Sequence, residues 1–168
     1  SQYWRMHRYN HANTGVNPNA VGPDEKVSLA WTYRMGDSVH VPTVVDDMVF
    51  VNGESRIFAV DIRDGSERWA VELESTGYRS PTVADGTVYV TGFDRLYALE
   101  AKTGDHLWST PDAGLAAPVV VGSTIYTVDS RSGQVFSLTT EGDRNWTASL
   151  AEDMDVLSTP AYADGVLV

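Results

Sequence analysis

The chain has 168 residues, a formal charge of −11 from 23 acidic against 12 basic side chains, and 42% hydrophobic residues. No apolar run approaches the roughly 18 residues of a membrane-spanning helix, and the acidic balance opposes nucleic-acid phosphates. The absence of cysteine excludes disulfides, thiolate chemistry and cysteine-ligated zinc.

Fifteen of the 23 acids are aspartate, and Lys26 and Lys102 are the only lysines. The acids are scattered, so the chain has no acidic tail. An acidic surface aids solubility. So little lysine beside so much aspartate further suggests adaptation to high salt, where screening makes dense carboxylates tolerable.

Residues 1–40 form a leader. His7 and His11 stand at i, i+4, but the surrounding Asn, Thr, Gly and Pro break the helix that a metal pair would need. Trp31-Thr-Tyr33 reads as a strand. From residue 41 a repeat takes over. Trp31, Trp69, Trp108 and Trp146 are 38, 39 and 38 residues apart, and Phe58, Tyr97 and Phe136 are each 39 apart. Such a period marks an array of supersecondary units.

Each unit opens on a proline, at Pro42, Pro81, Pro118 and Pro160. A tight turn follows at Asp46-Asp47, Asp85-Gly86, Gly122-Ser123 and Asp164-Gly165. Next come alternating strands at Met48–Val51, Thr87–Val90, Thr124–Thr127 and Val166–Val168. Third strands are predicted at Arg56–Val60, Arg95–Leu99 and Gln134–Leu138. Second turns at Asp64-Gly65, Thr103-Gly104 and Glu141-Gly142 feed fourth strands that carry the tryptophans. Four short β-branched and aromatic strands per unit, with no helical period, make an all-β fold of propeller blades.

Ala59-Val-Asp61-Ile-Arg-Asp64-Gly65-Ser-Glu-Arg-Trp69 resembles the tryptophan-docking motif A-x-D-x-x-T-G-x-x-x-W of the PQQ-like propeller repeat family, which includes quinoproteins and BamB-type proteins. Ala98 to Trp108 is similar, with Glu100 for the acid and Gly104 in place. Ser137 to Trp146 is a looser copy, one residue shorter, with Gly142. The resemblance implies that Ala59, Gly65, Trp69, Ala98, Gly104, Trp108, Gly142 and Trp146 dock neighbouring blades. The leader (Trp4-Arg-Met, Asn13-Thr-Gly15, Gly22-Pro23, Trp31) resembles that of secreted or surface-attached members. There the Trp31 strand closes the ring against the last blade. The expected domains are therefore a leader at 1–40 and blades at 41–168, with three complete blades and a fourth that breaks off after its second strand. Family propellers generally have seven or eight blades, so a longer protein is expected, or else a ring completed by self-association through the open blade edge.

No nucleophile elbow, dinucleotide fingerprint or phosphate loop is present. Asp46-Asp47 reads as a turn rather than a chelate, and Glu152, Asp153 and Asp155 as a solvated loop. His40 precedes a blade, and His106 reads as an exposed strand residue. Asn145-Trp-Thr147 is a glycosylation sequon, usable only if exported and exposed. Arg56, Tyr78, Arg79, Asp94 and Arg131 fall in loops that share one rim, with Arg56 and Arg131 read at comparable loop positions. Arginine and tyrosine are favoured interface anchors. The resemblance implies a non-enzymatic scaffold for a protein or cell-surface partner, outside the cytoplasm, with no cofactor. Its alternatives are a PQQ- and calcium-dependent alcohol or sugar dehydrogenase and a sensor ectodomain.

Overall fold

The computed structural model describes residues 28–36, 38–74, 76–77, 79–111, 113, 116–129, 131–149, 159–163 and 166–167. The expectations for His7, His11, the acidic 152–155 loop, the Asp164-Gly165 turn and the first 27 residues lie outside them.

Strands β1 (Thr43–Val45), β2 (Met48–Asn52), β3 (Arg56–Asp61) and β4 (Glu67–Glu72) form an antiparallel meander in the order β1-β2-β3-β4. The plan repeats in β5 (Thr82–Ala84), β6 (Thr87–Thr91), β7 (Arg95–Glu100) and β8 (His106–Pro111). It repeats again in β9 (Val119–Val121), β10 (Thr124–Asp129), β11 (Gln134–Thr139) and β12 (Arg144–Ser149). Strands β13 (Tyr162–Ala163) and β14 (Val166–Leu167) pair as a hairpin. The fold is all-β, an unclosed arc of PQQ-like propeller blades.

Two-residue loops join the first two strands of each blade, and their first residues are left-handed: Asp46 at φ 54°, Asp85 at 47° and Gly122 at 56°. Such turns match the right-handed twist of a hairpin. Each third–fourth strand pair carries a bulge, after Ala59, Ala98 and Ser137. These residues sit directly opposite Trp69, Trp108 and Trp146. A bulge there adds twist and re-aims the indole.

Alternation sends each strand's side chains to two faces. Phe50, Ile57, Ala59 and Trp69 of the first blade interlock with Val83, Val88, Tyr97 and Leu99 of the second. Tyr89, Leu96 and Ala98 then meet Val120, Ile125 and Leu138 of the third. The core thus lies between blades, so no blade can bury its apolar surface alone. The innermost strands touch in succession, β1 to β5 and β5 to β9. Buried hydroxyls stitch them: Thr43 Oγ1 donates to the Pro81 carbonyl at 2.5 Å, and Thr82 Oγ1 to that of Pro118 at 2.7 Å. Val119 holds the same register in the third blade and has no hydroxyl to give.

Candidate functional site

The repeated unit of chemistry is an indole resting on a glycine. Trp69 donates Nε1–H to the Ala101 carbonyl at 3.0 Å, and its ring lies where a β-carbon on Gly104 would stand. Trp108 does the same with Thr140 at 2.9 Å and Gly142. Trp31 repeats it with Ile62 at 2.8 Å and Gly65, although residues 28–35 have no strand pairing among the described residues. These three tryptophans therefore dock on the glycine turn of the blade that follows each of them. Within its own blade the indole leans on an aromatic of the second strand. Phe50–Trp69, Tyr89–Trp108 and Tyr126–Trp146 have centroids 5.9, 6.0 and 6.2 Å apart, tilted 48°, 49° and 48°. Trp146 keeps this pose while 45% exposed, and Tyr126 stacks on Tyr162.

The third position of each docking motif shapes the turn. The Asp61 carboxylate, almost wholly buried, accepts the backbone N–H and guanidinium of Arg63 and a guanidinium N–H of Arg68. The Arg63 hydrogen bonds, with Arg68 assisting, hold it far below the usual carboxylate range. Glu100 accepts the Thr103 hydroxyl instead. Thr139 replaces the acid with a hydroxyl that accepts from the N–H groups of Glu141 and Asp143, which supports the shorter third turn. Ahead of the first blade, Tyr33 packs edge-on to Phe58 and donates to the Glu67 carboxylate. That bond pushes the phenol up to about 12.

The loops between second and third strands share a rim with the connectors between blades. Arg131 sets its guanidinium 5.8 Å from the centre of the Phe93 ring, joining the rims of the second and third blades. Asp94 stands next to Phe93 and accepts from Arg95, which also pairs with Glu74 of the preceding connector at 3.3 Å. Arg79 is half-buried in that connector, where its carbonyl accepts from the Asn52 amide at 2.8 Å. Tyr78 lies outside the described residues. The register corrects the equivalence of Arg56 and Arg131. Arg56 opens β3, matching Arg95 at the start of β7, and pairs with Glu72 across the ladder at 2.7 Å, whereas Arg131 sits in the β10–β11 loop. His40 is half-buried, its backbone N–H bonded to the Asn52 carbonyl, and His106 is exposed on β8.

The opposite face carries the first–second and third–fourth strand turns. There a cleft of about 550 Å³ opens between the first and second blades, and one of about 340 Å³ between the second and third. The residues that sequence reasoning missed are here and at the seams. The Thr43 and Thr82 bonds were signalled by Pro-Thr recurring at two blade starts, while the clefts follow from packing between units and left no local signal.

The family described as outer membrane protein assembly factor BamB matches the chain at residues 15–77 and again at 53–168. Among solved structures, BamB from Moraxella catarrhalis is similar at 24% identity and a TM-score of 0.75, covering 83% of this chain and 46% of that one. The quinohemoprotein alcohol dehydrogenase ADHIIG from Pseudomonas putida HK5 is similar at 24% identity and a TM-score of 0.71, covering 87% of this chain and 26% of that one. A 1-butanol dehydrogenase (cytochrome c) from Thauera butanivorans is 35% identical over 78 residues, 42% of this chain and 11% of that protein. The chain thus spans less than half the length of the relatives it matches. Among the described residues no helix is long and apolar enough to cross a membrane.

Proposed function

We propose, for a chain that belongs to the family described as outer membrane protein assembly factor BamB, a non-enzymatic scaffold that holds a protein or cell-surface partner on its loop rim, outside the cytoplasm. The observation that carries this is the rim pair of Arg131 over Phe93, with Asp94 alongside. An accessible aromatic ring beneath a guanidinium offers a partner apolar area and charge at one point, the composition of interface hot spots.

Photo-crosslinking in the native host tests it. A photoreactive residue at Phe93 or Arg131 captures a discrete protein or envelope component, while the same residue at Ser109 on the outer strand β8 does not. Equal capture at both places, or none at the rim, counts against the scaffold.

The similarity to a butanol dehydrogenase supports a second reading, a PQQ- and calcium-dependent alcohol or sugar dehydrogenase. The chain has no cysteine, and the described residues contain no group of three His, Asp or Glu able to hold a metal. Dye-linked assay of the full-length protein with PQQ, calcium and a range of alcohols and sugars separates the two. Sustained turnover there overturns the scaffold.

A further inference from the structure

Asn145-Trp-Thr147 is the only Asn-x-Ser/Thr sequence in the chain. It lies on β12, the edge strand of the third blade, where both Asn145 and Thr147 are exposed. An edge strand leaves a row of backbone N–H and C=O groups unpaired, open to an enzyme that binds an extended segment. Asn145 is also the residue that the third-blade bulge leaves without a partner on β11. Its Nδ2 stands 3.5 Å from Ser137 Oγ, the far limit of a hydrogen bond, so little holds it.

Exposure here belongs to the position in the blade rather than to the open end of the arc. The first two blades have a neighbour packed on the tryptophan face, and there the same bulge leaves Arg68 and Leu107 unpaired. In those covered blades the Arg68 side chain is 44% exposed and Leu107 is 51% exposed. Ala70 and Ser109, which match Thr147 in register, are exposed as well. A blade docked on Trp146 would therefore leave Asn145 and Thr147 in solvent. Asn145 also stands near the end of β12 remote from the Arg131 loop, so a bulky group there leaves the rim clear.

We propose that Asn145 is a glycosylation site, which takes an oligosaccharide from a lipid-phosphate donor by the action of a membrane-bound transferase. The Asn145 amide nitrogen bonds to the anomeric carbon of the sugar as the bond from that carbon to the phosphate oxygen breaks. The lipid phosphate leaves with the electron pair, and the nitrogen releases one proton to a base of the transferase. Thr147 supplies the hydroxyl that completes the acceptor sequence. Modification requires that the protein lie outside the cytoplasm, so the site rests on that part of the proposed function.

Glycopeptide mass analysis of the full-length protein from its native host, with cell fractionation alongside, tests the site. The peptide containing Asn145 should exceed its sequence mass by whole sugar residues. Asn145→Gln and Thr147→Ala should each lose that mass, and Thr147→Ser should keep it. Ala70 and Ser109 hold the Thr147 register in the other two blades, so alanine and serine both suit the strand. Leu107→Asn combined with Ser109→Thr rebuilds the sequence in a covered blade and should add a second glycan. An unmodified Asn145 in protein recovered outside the cytoplasm overturns the site. A glycan that survives Thr147→Ala overturns the role of the hydroxyl, and a rebuilt blade without a second glycan overturns exposure through blade position. Protein found only in the cytoplasm overturns the extracytoplasmic reading and the site with it, a failure that fractionation separates from the first.

Discussion

At Gly104 a φ of 79° coincides with Trp69 ring atoms 2.8 Å from the position of a β-carbon, so the residue answers two demands at once. Gly86 has the same φ and nothing within 4 Å. Gly86→Ala should therefore cost only the left-handed strain, about 1–2 kcal/mol. Gly104→Ala adds overpacking against the indole and should cost roughly 2–5 kcal/mol. Denaturant unfolding of the two variants checks the difference. Asp61 makes a prediction in pH. Its folded-state value lies below the ordinary value of about 3.9, because Arg63 and Arg68 hydrogen-bond the charged form. Its contribution is therefore complete above about pH 4 and is lost as pH falls through the folded-state value. Asp61→Asn should melt lower than the parent at pH 7, and the gap should narrow steadily below pH 4.

Within the blade the outer strands become more exposed along the chain. Trp69 on β4 is 8% exposed, Trp108 on β8 is half-buried, and β12 is exposed at all six positions. Trp69→Ala should cost about 3–5 kcal/mol. Trp146→Ala in this 168-residue chain should stay within about 1 kcal/mol. Thermal or denaturant melts of both variants measure this contrast. Strands and turns were readable in the sequence because alternation and Asp-Gly chemistry are local, and the observed β2, β3, β6 and β7 lie within a residue of their expected bounds. The fates of charged side chains were not. Arg56 is used by Glu72 through ladder register, and Asp61 is buried beneath two arginines, neither of which follows from composition.

For the whole molecule, charge is the dominant global quantity. Aspartates on the turns repel one another at low ionic strength, and salt screens them. We expect the melting temperature to climb steeply with KCl into the molar range. A flat response in scanning calorimetry would remove the case for adaptation to high salt.

Each indole is synthesised 34 or 35 residues before the glycine that shelters it, Trp31 before Gly65, Trp69 before Gly104, Trp108 before Gly142. Each new glycine hairpin also ends in the next tryptophan. In blade-by-blade synthesis an indole, with the apolar face around it, is covered only once the next glycine hairpin has been made, so the order of the sequence is also the order in which the seams can close.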